Sequence, residues 1–141
     1  MIVEPFKAYH VDLLRAQGVQ TAQLREVSYV PATYASVPAG PAVTVFSGDR
    51  IVLCGGIAIK APQRGDCWAL LSEQAGAHMV WLHYAVKRFI SMQNWRRLEA
   101  TVEENFGQGC RWVELLGFEF EGRMPGYGLN GETHMRYAKV G

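Results

Sequence analysis

The sequence predicts an α/β fold of the α+β kind built around one sheet, and three observations carry the prediction. Val43-Thr44-Val45-Phe46 and Ile51-Val52-Leu53-Cys54 are two strand-like runs flanking Ser47-Gly48-Asp49. Those three turn residues supply the backbone freedom that a tight hairpin needs. Residues 75–92 place Met79, Leu82, Val86, Phe89 and Ile90 at helical spacing, with Lys87 and Arg88 turned partly outward. The run Arg111-Trp112-Val113-Glu114-Leu115-Leu116-Gly117-Phe118 reads as the end of an amphipathic helix, stopped by a glycine and followed at once by an alternating strand.

Taken in order, residues 2–6 alternate weakly and carry Pro5, which suits an edge strand because proline cannot donate to a ladder. A short helix is expected over residues 11–16, ending near Gly18, and a second over residues 22–26 capped by Thr21. Residues 28–41 hold Pro31, Pro38, Gly40 and Pro41 and predict a loop. In the hairpin that follows, Gly55-Gly56 suggests a bulge or bend within the second strand. After a turn at residues 62–65, Cys67-Trp68-Ala69-Leu70-Leu71 makes a third, mostly buried strand. Trp81, Tyr84 and Ala85 widen the apolar surface of the long helix, which predicts cover on two sides. Residues 97–102 alternate as a strand, residues 106–116 form a helix, and residues 118–121 and 133–138 form strands. The glycine-rich stretch from Gly122 to Gly131 reads as a long hairpin loop between those last two. The order is β-α-α-β-β-β-α-β-α-β-β.

With 141 residues, 49% of them hydrophobic, the chain is long enough for one core, and residues 1–141 are expected to form a single domain. No run of about 18 apolar residues predicts a membrane span, and residues 1–7 lack the order of a signal peptide, so a cytoplasmic protein with no membrane partner is expected. Cys54, Cys67 and Cys110 are odd in number and widely spaced, fitting neither a disulfide framework nor a zinc clamp. A net charge of +1 provides no field for a phosphate backbone, which makes a nucleic-acid partner unexpected. Lys87-Arg88 and Arg96-Arg97 around Trp95 read as a solvated helix end and strand start. His78 and His83 lie five apart on the long helix and do not share a face, so no metal site is predicted.

The helix–Gly–Phe–strand join resembles motif B of the GCN5-related N-acetyltransferase (GNAT) superfamily, and the element order is that of its fold. The resemblance implies a central mixed, mostly antiparallel sheet with helices on both faces. It further implies acetyl-CoA as cofactor, bound at a splay between the fold's fourth and fifth strands with its pantetheine arm paired to backbone like an extra strand. Here that places the thioester carbonyl near the backbone of Leu70, Leu71 and Ser72. The diphosphate would rest on Gly76 and Ala77 of Ser72-Glu73-Gln74-Ala75-Gly76-Ala77-His78, which need bare N–H groups aimed at an anion. The spacing from Gln74 is one residue shorter than the family's loop, and Glu73 adds a negative charge. Asn105 stands where the family often has an asparagine near the cofactor, and the usual thiolate-protonating tyrosine aligns with Val113. An indole cannot replace that acid, so Trp112 does not restore it. No catalytic residue is assigned; Glu73, His78, Glu103 and Glu104 are the plausible bases.

Gly65-Asp66-Cys67-Trp68-Ala69-Leu70-Leu71-Ser72, Val102 through Asn105, and the Gly117-Phe118 join together resemble a short, divergent phage-encoded branch of this superfamily. That branch includes phage acetyltransferases and the internal virion protein A family. Two functions follow from the resemblance. One is an N-acyltransferase moving an acetyl group from acetyl-CoA to an amine-bearing small molecule or protein. The other is an inactive binding or virion-assembly protein whose partner is a phage or host protein.

Overall fold

The computed structural model describes residues 1–17, 25–27, 39–128 and 130–141. In chain order the elements are β1 (Ile2–Pro5), α1 (Tyr9–Gln17), β2 (Arg25–Val27), β3 (Ala42–Ser47), β4 (Arg50–Ala61), β5 (Arg64–Leu71), a 3-10 turn (Glu73–His78), α2 (Met79–Ser91), β6 (Arg97–Glu103), α3 (Gly107–Leu115), β7 (Glu119–Met124) and β8 (His134–Val140). Seven strands run in the order β1-β3-β4-β5-β6-β8-β7, with β2 paired on β5 as an eighth. Among the described residues only β5 and β6 pair in parallel; the other neighbours are antiparallel. The Pro5 strand lies at one edge of the sheet, as a missing N–H requires.

Strand alternation sorts the core onto the two faces. Val45, Leu53, Leu71, Ala100 and Val102 pack with Leu82 and Ile90 of α2, with Trp112 of α3 and with Leu116, which caps α3. Their neighbours Cys54, Trp68 and Leu70 face the other way, against Val11 and Leu14 of α1. There His10 is buried, its Nδ1 2.8 Å from Thr44 Oγ1 and accepting a hydrogen bond from the Lys7 backbone N–H at 3.1 Å. The Thr44 hydroxyl lies 3.7 Å from the Cys54 sulfur. Burial pushes the Cys54 and Cys67 thiols up to about 12, as expected of cysteines used for packing. No helix among the described residues is long and apolar enough to cross a membrane.

The stop at Gly117 has a complete physical account. Gly117 adopts φ +100°, its N–H donates to Glu114 O at 3.0 Å, and the Phe118 N–H donates to Val113 O at 3.0 Å. These are the two bonds of a Schellman motif, which satisfy carbonyls that the helix end would otherwise orphan.

Several expectations are corrected. Residues 25 and 26 of the expected second helix belong instead, with residue 27, to a strand, because β5 offers them a hydrogen-bonding edge; residues 18–24 lie outside the described set. The expected loop also falls mostly outside it, at residues 28–38. Gly55-Gly56 carries no bulge: the register shifts occur at Val45/Phe46 and Ile59/Ala61. Gly56 serves close approach instead, since a Cβ there would lie 2.5 Å from Ala42 Cβ and from Pro41 O. The long helix starts later than expected, because residues 75–78 belong to the 3-10 turn Glu73–His78 and α2 begins at Met79. It is covered on one side only among the described residues, with Tyr84 65% exposed and Val80 76% exposed.

Candidate functional site

β5 and β6 lie side by side only at their starts, through Arg64↔Arg97, Gly65↔Leu98 and Asp66↔Glu99. Beyond that point β5 stays with β4 up to Leu71, whereas β6 follows β8 up to Glu103. The two parallel strands therefore part and leave a wedge that opens toward their C-terminal ends. The turn at Ser72 leaves one side of that wedge and the turn holding Asn105 leaves the other, each leading into a helix on the same face of the sheet. The carboxyl ends of diverging parallel strands are where open sheets most often receive ligands.

Ser72 is shaped as a cap. Its N–H donates to Val52 O at 3.0 Å, its hydroxyl accepts from the Gln74 N–H at 3.2 Å, and its carbonyl accepts from the Ala75 N–H at 3.0 Å. Gly76 and Ala77 follow on the exposed side of the turn, and a Cβ at Gly76 would meet nothing within 4 Å. Asn105 is exposed. Beneath α2 and α3 lies an apolar cavity of about 90 Å³, bordered by Ala69, Ala100, Phe89, Trp112 and Val113. Val113, at the place of the usual acid, is buried in the core, and the indole N–H of Trp112 is buried with no hydrogen-bond partner among the described residues.

The edge of β5 that faces the wedge is taken by the chain itself. Arg25, Glu26 and Val27 pair antiparallel with Leu71, Leu70 and Ala69. Leu70 and Leu71, expected to offer backbone to a pantetheine arm, thus already have a strand on that side.

Of the plausible bases, Glu104 is paired with Arg123 at 2.9 Å, and that guanidinium holds its carboxyl below the usual range. Glu73 is exposed, and Glu103 and His78 are half-buried. Sequence reasoning missed Glu99, a carboxylate only 6% exposed at the point where β5 and β6 part. Arg97 donates to it at 3.1 Å, Arg136 pairs with its other oxygen, and Arg97 also reaches Glu121. The alternation of Arg97-Leu98-Glu99-Ala100 does place Glu99 opposite the apolar face, which was the available signal. Two guanidinium partners make it a structural anchor for the wedge rather than a proton acceptor. Tyr137 also has a structural place: buried in the core, it donates its hydroxyl to Glu114 of α3 at 3.2 Å. Burial and the neighbouring Cys110 thiol and Glu114 carboxylate raise its pKa. The Arg96-Arg97 end of the basic patch is tied into the Glu99 network through Arg97. The stretch between β7 and β8 is a hairpin loop closed by Gly128 N–H to Glu132 O at 3.0 Å, with Tyr127 tilted against His134. Among the described residues, no three histidine, cysteine, aspartate or glutamate side chains gather as metal ligands.

No protein-family model matches the chain, and no curated protein sequence matches it. Solved structures do. An N-acetyltransferase from Staphylococcus aureus Mu50 superposes with a TM-score of 0.74 at 7% identity, covering 99% of this chain and 96% of the other. The ribosomal-protein-S5-alanine acetyltransferase of Vibrio fischeri gives 0.71 at 16% identity, covering 98% and 91%. A spermidine N-acetyltransferase from Vibrio cholerae gives 0.67 at 10% identity, covering 99% and 95%. At these identities the likeness speaks for architecture, and the chain has the GNAT fold.

Proposed function

We propose that the chain is an N-acyltransferase that binds acetyl-CoA in the wedge between β5 and β6 and passes its acetyl group to an amine. The observation that carries the reading is the splay itself, which runs directly into the Ser72-capped turn. In this reading the backbone of Leu70 and Leu71 pairs with the pantetheine arm, and the backbone near Ser72 polarises the thioester carbonyl. The diphosphate rests against the exposed Gly76 and Ala77 of the 3-10 turn, whose own N–H groups point to the carbonyls three residues before them, and Asn105 closes the site from the β6 side. Acetyl-CoA supplies an activated acyl group: the amine nitrogen bonds to the carbonyl carbon, the carbon–sulfur bond breaks, and the amine's proton leaves while the thiolate is protonated. With no tyrosine at Val113, that thiolate takes its proton from water, and holding the amine beside the thioester supplies most of the acceleration. Spermidine and a ribosomal protein's alanine, named for two of the structural neighbours, make amines the acceptor class to screen.

We further place residues 1–141, from their length and the lack of a membrane-span or signal-peptide pattern, as one cytoplasmic domain, and assign it to a phage-encoded branch on the sequence traits of residues 65–72, 102–105 and 111–118. Turnover is tested by following free CoA thiol with a panel of polyamines and amine-bearing peptides. Thiol release that depends on the acceptor supports the enzyme; none with any acceptor rejects it. The second reading, a GNAT-fold binding or virion-assembly protein without turnover, is favoured by buried Val113 and by the strand already seated on β5.

A further inference from the structure

We infer that Arg25–Val27 is a built-in competitor of the cofactor: a strand of the chain's own that must leave β5 before an extended ligand can pair there. The inference rests on the acetyl-CoA reading above. A strand has two hydrogen-bonding edges. At residues 69–71 of β5, one edge is committed to β4 through Leu53↔Leu71, Cys54↔Leu70 and Gly55↔Ala69. The other carries Arg25↔Leu71, Glu26↔Leu70 and Val27↔Ala69. These are the residues to which the pantetheine arm is assigned, and the same backbone N–H and C=O groups cannot serve both partners.

The competitor is also built to be weaker than an ordinary sheet member. It is three residues long, whereas β4 and β5 are 12 and 8 residues long, so it has little ladder to lose. It sits where β6 has turned away to β8, and the sheet's main path from β5 to β6 persists without it through residues 64–66. Cofactor affinity is then set partly by the fraction of molecules in which β5 is bare. Any partner that draws residues 25–27 away would raise that affinity.

Proline removes a backbone donor, and an antiparallel ladder uses alternate residues for its paired bonds. Glu26→Pro and the double variant Arg25→Pro/Val27→Pro therefore cover both possible bonding sets. If the plugged form makes up ~90% of the free protein, at least one variant should bind CoA about tenfold more tightly than the wild type. Hydrogen exchange on the unmodified chain provides a second readout: saturating CoA should speed exchange of the amides of residues 25–27. Tighter variant binding than that of the wild type supports the competition. Equal CoA affinity in all three proteins, or unchanged protection of residues 25–27 with CoA bound, overturns it and leaves the acetyl-CoA reading standing. Absence of binding in all three at millimolar CoA overturns both.

Discussion

Gly76 is the position at which cofactor binding and folding separate most cleanly. A Cβ there would meet nothing within 4 Å, and the glycine is not held at positive φ, so a long side chain enters solvent without strain. Gly76→Glu should therefore change stability by no more than about 0.5 kcal/mol, as for surface substitutions in general. Binding should respond strongly. Two negative charges on a diphosphate at ~5 Å from the new carboxylate, in the dielectric of water, give about 1.7 kcal/mol of repulsion, or roughly seventeenfold in Kd. Gly76→Gln has the same bulk without the charge, so the ratio of the two variants isolates electrostatics. That ratio should shrink as salt shortens the screening length. Calorimetric titration with CoA at low and high salt reads both, with thermal melting as the folding control. Two stable variants with wild-type affinity at either salt would refute a phosphate seat at this turn.

Glu73 already puts a negative charge in the same turn, so Glu73→Gln should tighten CoA binding severalfold at low salt; an unchanged Kd counts against the seat. Gly117→Val forces a β-branched residue into φ +100°, with its Cβ 3.1 Å from Lys139 Nζ. The left-handed penalty of about 1–2 kcal/mol should lower the melting temperature by roughly 3–8 °C at this length, and an unchanged melt would contradict the helix stop. Gly56→Ala drives a methyl to 2.5 Å from Ala42 Cβ and should cost about 1–3 kcal/mol, while Gly122→Ala, which meets nothing within 4 Å, should be close to neutral in the same urea titration. Burial lowers the pKa of His10, so protons bind the unfolded chain more readily than the folded one. Its contribution is complete above the ordinary histidine pKa of about 6.5 and fades as the pH falls below it. Wild type should lose more stability than His10→Gln between pH 7 and pH 5, and equal losses would remove His10 as the cause.

What could be read from the sequence follows from the range of the forces involved. The Gly48-Asp49 hairpin and the Gly117 stop are local, each decided by a few neighbouring residues, and both lie where their spacing put them. The two apolar faces were also legible, because alternation through Leu53, Cys54 and Ile57, or through Leu70 and Leu71, fixes which side chains face α1 and which face α2. Non-local pairing was not. Residues 25–27 carry nothing that demands a strand; β5 makes them one by offering an edge more than 40 residues away. Gly55-Gly56 looked like a bulge because its true reason, the closeness of Ala42 and Pro41, is a contact between strands. The same applies to Glu99, whose arginine partner at 136 is brought in by the β6–β8 ladder. Of the candidate site, Leu71, Ser72 and Asn105 flank one wedge, yet the occupancy of the β5 edge could not be read from any motif.

The most direct test of the central claim is a calorimetric titration of the unmodified chain with acetyl-CoA. A wedge that receives the pantetheine arm, even against a competing strand, predicts saturable one-to-one binding with a Kd on the order of micromolar to tens of micromolar. Absence of heat and of any shift in melting temperature at millimolar acetyl-CoA would contradict it.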